Sequence, residues 1–195
     1  MLRVVPNVPR ETIKKLEMYA ELLIKWQNSI NLVSRDTLGD VWNRHFLDSL
    51  QLLTYIGGNS ILDVGSGGGF PGMVLAIAGN LPVTCIDADK RKILFLEEVA
   101  RITDTNVTLI ADRIENLKNV SYGTVCARGF SNMRELVAIT ERLAPLGRGV
   151  FLKGKTWRQE LEQARHFFDF HHEEYCSNPN KEGKIIIVYS IKRCG

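Results

Sequence analysis

Two carboxylates bracket a glycine-rich run. Asp63 stands in Ile61-Leu62-Asp63-Val64, an apolar stretch that reads as a buried strand, and Gly65-Ser66-Gly67-Gly68-Gly69-Phe70-Pro71-Gly72 follows it. Asp87 ends a second apolar stretch, Val83-Thr84-Cys85-Ile86, 22 positions after Gly65. Glycines in such a turn permit left-handed backbone and close approach of the main chain to a ligand. Pro71 suits the first turn of a helix. Strand, glycine turn and helix form a nucleotide cradle, and an acid about 20 residues further on meets the ribose hydroxyls. That acid excludes a 2′-phosphate but not NAD. Gly67, Gly69 and Gly72 spell G-x-G-x-x-G one step later than a dehydrogenase would place it. Asp63 decides between the cofactors. Its carboxylate would face the cationic, amine-bearing methionine end of S-adenosylmethionine, and would be out of place beside a pyrophosphate.

Other reactive side chains are sparse. The four cysteines, at 85, 126, 176 and 194, show no C-x-x-C spacing. Free thiols are expected, with neither zinc nor disulfides favoured. Arg128 ends a strand-like run at the edge where ligands of open α/β sheets bind. No Asn-Pro-Pro-aromatic motif stands there to accept an amino group's hydrogens. Cys126 lacks a preceding proline, which argues against a covalent cysteine mechanism. His45 and Asp48 are three apart and share a helix face; a buried hydrogen-bonded pair and a substrate contact are both open. His171-His172, beside Glu173-Glu174, reads as solvated surface.

The elements that would position these residues alternate. Pro9 to Asn31 carries apolar residues at helical spacing, and Val41 to Ile56 reads as a second helical segment that Gly57-Gly58-Asn59 stops. Strands are expected at 60–64, 83–87, 107–110, 123–127 and 148–153, and helices at 71–79, 89–102, 131–144 and 157–166. This βα alternation predicts a parallel sheet with helices on both faces. Phe167–Cys176 and Lys184–Arg193 read as an antiparallel hairpin joined by residues 177–183. Two units are expected: an N-terminal helical appendage, 1–58, packed on a core at 59–195. With 195 residues, 45% of them hydrophobic, the chain can bury a sizeable core. No apolar run reaches the ~18 residues that span a bilayer, and Met1 to Asn7 carries no signal-peptide apolar region. The net charge is +3. Residues 148–195 hold nine basic and six acidic side chains, which is compatible with a nucleic-acid partner.

Asp63-Val64-Gly65-Ser66-Gly67 resembles motif I of class I methyltransferases. Across its length, in order, the chain resembles the bacterial small-subunit rRNA (guanine-N7) methyltransferases, the RsmG or GidB family. The resemblance rests on Trp26-Gln27-Asn28-Ser29-Ile30-Asn31-Leu32, Arg44-His45-Phe46-Leu47-Asp48-Ser49-Leu50 and Gly69-Phe70-Pro71-Gly72. It continues through Asp87 with Lys90-Arg91-Lys92, Arg113-Ile114-Glu115, Ala127-Arg128 and Leu152-Lys153-Gly154. One departure is Gly129, where the family more often has alanine.

The resemblance implies a Rossmann-like class I fold, mostly parallel, and methyl transfer from S-adenosylmethionine to N7 of a guanine in the 530 loop of 16S rRNA. It implies a cofactor site of Gly65, Phe70, Ile114, Glu115 and Arg128, to which the motifs add Asp63, Gly67, Gly69 and Asp87. Arg128, Arg113, Lys153, His45 and Asn31 are the candidates for catalysis or RNA positioning, with the cations placed on phosphates or guanine O6. The implied partner is small-subunit rRNA or the 30S particle, and the implied setting is a cytoplasmic monomer without metal. Two other readings stay open: a methyltransferase acting on another RNA, a small molecule or a protein, and a cofactor-binding assembly protein without catalysis.

Overall fold

The structure, a computed structural model, describes residues 8–177 and 183–195. The expected hairpin turn and the Met1–Asn7 segment lie largely or wholly outside them. Seven strands form one sheet in the order β3-β2-β1-β4-β5-β7-β6. They are β1 (Ile61–Val64), β2 (Val83–Asp87), β3 (Thr108–Ala111), β4 (Thr124–Arg128), β5 (Arg148–Lys153), β6 (Phe168–Cys176) and β7 (Lys184–Arg193). The first five run parallel; β7 is antiparallel to β5 and to β6. The chain order reverses between β1 and β4, and this is where open α/β sheets bind ligands.

Among the described residues, six α-helices accompany the sheet: α1 (Arg10–Gln27), α2 (Asp48–Leu50), α3 (Gly72–Ala78), α4 (Lys90–Ile102), α5 (Met133–Leu143) and α6 (Trp157–Arg165). The central strands are buried on both faces, so they read as apolar runs rather than as alternation. One face carries the side chains of α1, α3 and α4 in a core with Ile61, Cys85 and Cys126. The other carries α5 and α6 in a core with Leu62, Val64 and Val125.

Helix α1 buries Thr12, Leu16, Tyr19 and Leu23, spaced four, three and four apart, so one stripe faces the sheet. Phe46, Leu50 and Leu52 join Leu16, Tyr19 and Leu23 in the core that also holds Phe70, Met73 and Phe95. The expected single helix over 41–56 is a composite. A 3-10 turn, Arg35–Asp40, precedes a π-helical segment, Trp42–Leu47; α2 and a second 3-10 turn, Gln51–Thr54, follow. No helix among the described residues is long and apolar enough to cross a membrane.

Candidate active site

The glycine turn sits where the reversal places it. Gly65 (φ +65°) turns sharply off β1, and its amide and that of Ser66 donate to the Ile86 carbonyl at 2.9 and 3.1 Å. A Cβ on Gly65 would collide with the Phe130 ring, so glycine is required both for the left-handed turn and for that ring to pack against it. The Asp87 carboxylate accepts from Gly67 N at 2.8 Å and from Asp89 N at 2.9 Å. Each carboxylate oxygen has a further lone pair.

A cavity of about 330 Å³ opens beside this turn, lined by Gly65, Ile86, Asp87, Lys92, Asp112, Arg113, Ile114, Glu115, Gly129 and Phe130. The structure thus brings together five residues singled out from sequence: Gly65, Asp87, Arg113, Ile114 and Glu115. Arg142 of α5 holds the turn at Ile114–Asn116 by donating to the carbonyls of Ile114 (2.9 Å) and Leu117 (2.5 Å). Asp112 accepts from Arg113 N and Asn116 Nδ2, both at 2.7 Å, so its carboxylate serves the turn and Glu115 is the freer acid.

Four residues expected at the cofactor, Asp63, Phe70, Gly69 and Arg128, do not line this cavity. Asp63 does not face the cavity; its exposure is 0%. Side chains alternate along a strand, and Asp63 lies level with Cys85 on β2 and Cys126 on β4, inside the α3 face. It accepts from Gly72 N at 3.0 Å, tying β1 to the start of α3. Burial pushes its carboxyl up to about 6, against the bonds from Ser66 and Gly72. Phe70, 2% exposed, is an inner platform rather than a cavity wall. It stacks on Tyr19 (5.4 Å) and His45 (4.8 Å), with the Arg128 guanidinium 4.7 Å from its ring centre. Gly69 packs against Tyr19, Leu96 and Met73. Arg128 belongs to a neighbouring cavity, not to the one beside Asp87.

That second cavity, about 310 Å³, is lined by Leu32, Val33, Ser34, Thr37, Arg44, His45, Asp48, Arg128, Gly129, Leu152, Lys153, Gly154, Ser177 and Gly183. Gly129 lines both, so the two cavities adjoin at the end of β4. Its φ of +61° favours glycine over the alanine more common in the resembled family. Arg128 Nη1 donates to the Arg44 carbonyl at 3.1 Å, linking β4 to the π-helical segment. His45 Nε2 meets Thr37 Oγ1 at 2.8 Å, while its buried Nδ1 has no partner. Burial, then Arg128 and Arg44, lower His45 to about 3, so the ring is neutral. His45 and Asp48 bond to other partners rather than to each other. Asp48 instead accepts from Ser177 and Gln51. Burial raises its carboxyl, against Ser177, Arg128 and Arg44.

Lys153 lines this cavity but is engaged: its Nζ lies 2.5 Å from Glu160 and 2.9 Å from the Ser131 carbonyl. Asn31 is exposed and lies outside both cavities, in a surface hollow with Gln27 and Arg35. Cys126, fully buried with its thiol pushed up by burial and Asp63, is also outside both. Among the described residues no three His, Cys, Asp or Glu converge as a metal site requires. Phe130 and Ser177 carried no signal in the sequence. Each comes from a connection after a strand, and tertiary folding alone delivers it to its cavity.

The first cavity passes a simple test for a nucleoside-bearing cofactor. It has a glycine turn whose backbone it borders, the Asp87 carboxylate with lone pairs to spare, and the apolar Ile86 and Ile114. Comparisons with known proteins agree with that architecture. The family model for rRNA small subunit methyltransferase G matches residues 12–186. The chain is 39% identical over 189 residues to ribosomal RNA small subunit methyltransferase G of Rickettsia felis, covering 96% of this chain and 98% of the relative. It is 40% identical to the protein of the same name from Rickettsia rickettsii strain Sheila Smith, with the same coverage. Among solved structures, magnesium protoporphyrin IX methyltransferase from Synechocystis PCC 6803 with bound SAM is similar in fold. Its TM-score is 0.59 at 16% identity, over 94% of this chain and 98% of that one. The ribosomal protein L11 methylase of Lactobacillus delbrueckii subsp. bulgaricus gives 0.58 at 16%, over 76% and 77%.

Proposed function

The chain belongs to the rRNA small subunit methyltransferase G family, and from that premise we propose that it methylates N7 of a guanine in the 530 loop of 16S rRNA. The relatives' names supply the small-subunit rRNA; the choice of atom follows from the family resemblance, and the site is compatible with it. We further propose that it acts as a cytoplasmic monomer on the rRNA or the 30S particle, with residues 1–58 an appendage to the core 59–195.

The observation that carries the reading is two adjoining cavities that meet at Gly129, one suited to a nucleoside cofactor and the other bordered by Arg44, Arg128 and Lys153. When bound, S-adenosylmethionine supplies an electrophilic methyl group on a sulfonium. The chain's own work is binding and alignment. Asp87 would accept the ribose hydroxyls, the Gly65 and Gly67 backbone would admit the ligand, and Ile114 and Glu115 would border the adenine. Guanine N7 bears an in-plane lone pair and no proton, so no general base is needed. His45, held neutral with its Nε2 on Thr37, fits such a site. Orientation alone can supply up to ~7–11 kcal/mol in the best cases. The product base gains positive charge, so Arg128 and Arg113 suit phosphates or guanine O6 rather than N7. Tested with labelled cofactor, the reading expects label in 16S rRNA and none in 23S rRNA or protein. Borohydride–aniline scission, which reports 7-methylguanine, should then cut at one position. Label in protein alone, or no scission, would sink it.

A further inference from the structure

Among the described residues lining the second cavity, Asp48 is the one acid; Arg44, Arg128 and Lys153 line it too, and the first two act on the Asp48 charge. Lys153 is already met by Glu160. Asp48 is 7% exposed. Ser177 Oγ and Gln51 Nε2 both donate to the same oxygen, Oδ1, and Oδ2 receives neither bond. The carboxylate is therefore pinned at one oxygen from two sides, with acceptor capacity left over. His45 lines the same cavity. A pocket built for phosphate would not place a buried carboxylate among its cations, because that charge repels the ligand. A carboxylate beside guanidinium groups fits a planar edge with donors next to an acceptor.

Guanine has that edge: N1–H and the 2-amino group donate, and O6 accepts beside them. Adenine offers an acceptor at N1 and carries no 2-amino group, so it would set lone pairs against the carboxylate. We propose that Asp48 selects guanine, its remaining oxygen Oδ2 accepting from N1–H and the adjacent 2-amino group while the guanidinium groups of the same wall donate to O6. The inference rests on the guanine-N7 reading above and adds what chooses the base. N7 lies on the far edge of the purine from N1, and so points away from Asp48 when that edge is held. Gly129, shared by both cavities, borders the space between.

The test uses 30S subunits reconstituted with rRNA carrying guanosine or inosine at the target; inosine lacks only the 2-amino group. Single-turnover methylation by the wild-type protein should fall about tenfold to a hundredfold on inosine, the discrimination expected of a paired polar contact. D48N keeps the shape and an acceptor for Ser177 and Gln51 but turns an amide donor toward the base. It should slow methylation of guanosine and shrink the guanosine-to-inosine ratio towards one, with cofactor affinity and melting temperature near wild type. Equal wild-type rates on the two substrates would overturn the proposal without any variant, and so would an undiminished ratio in D48N. In both cases methylation at guanine N7 would still stand. A wild-type protein that methylates neither substrate would instead remove the underlying reading, and this inference with it.

Discussion

Asp63 and His45 are both buried, and their pH effects run in opposite directions. The folded state raises the Asp63 carboxyl from 3.8 to about 6. An acid raised by folding contributes stability that is full below its unfolded value and is lost as pH rises through its folded value. The loss from about pH 4 to above pH 6 is on the order of 3 kcal/mol, at about 1.4 kcal/mol per unit. Asp63→Asn should therefore gain stability relative to wild type as pH rises across that window, measured by denaturant melts at several pH values. A constant difference would show that the carboxyl is not desolvated in solution. His45 is lowered to about 3 by burial and its arginine neighbours. It favours the fold above pH 6.5 and loses that contribution as pH falls towards 3. Its ring signals should not titrate between pH 5 and 8 by NMR; a midpoint near 6.5 would refute the buried placement. Arg128→Ala removes a cavity wall and a contact to the Arg44 carbonyl. Charge-assisted bonds are worth ~1.5–3 kcal/mol, so single-turnover methylation should fall about tenfold or more. Cofactor affinity should change little, because Arg128 borders the other cavity. Loss of cofactor affinity alone would return it to the cofactor site.

At the scale of elements, the glycine turn is held from both sides. Asp87 grips Gly67 from β2, and Tyr19 on α1 donates to the Gly68 carbonyl. Asp87→Ala removes both the turn support and the proposed diol acceptor, so cofactor affinity should fall tenfold or more by calorimetry; unchanged affinity would exclude Asp87 from the ribose. The end of α1 is organised by one side chain. Gln27 Oε1 accepts from Leu32 N (2.9 Å) and Val33 N (3.1 Å), and its Nε2 donates to the Val33 carbonyl (2.8 Å). Leu32 and Val33 line the second cavity. Gln27→Ala leaves those backbone groups without their partner, at a cost of about 1–3 kcal/mol. It should lower both the melting temperature and methylation, and a silent substitution would mean that water replaces the side chain without loss.

At the scale of the whole molecule, residues 8–58 share a core with the sheet. Leu16, Tyr19, Leu23, Phe46, Leu50 and Leu52 are buried with Phe70, Met73, Leu75 and Phe95. Burial of a large apolar side chain contributes ~1.5–3 kcal/mol. Losing several such contacts exceeds the ~5–15 kcal/mol that holds a domain folded. A chain of residues 59–195 should therefore fail to unfold cooperatively in a thermal melt; a sharp, reversible transition near that of the full chain would show that the appendage is dispensable to the core.

The sheet was legible in the chain because its determinants are local. β2 and β5 fall on the expected residues, and β7 spans Lys184–Arg193 as read. Apolar runs, glycine stops and short connections suffice to show where buried parallel strands begin and end. Asp87 was legible for the same reason, lying at the end of its strand a set distance past the glycine turn. Which way a side chain points was not. Asp63 belongs to the same motif as Gly65, yet strand alternation turns it inward against Cys85 and Cys126. Phe70, two residues before α3, lies buried among Tyr19, His45 and Arg128, which arrive from three separate elements. The second cavity was the least legible. Arg44, Asp48, Arg128, Lys153 and Ser177 meet there from positions up to 133 residues apart. Sequence spacing determines the order of elements along the chain. Only the packing of the N-terminal helices against the end of β4 decides which of their polar groups share one cavity, because that proximity depends on how the sheet and both helical layers fit together.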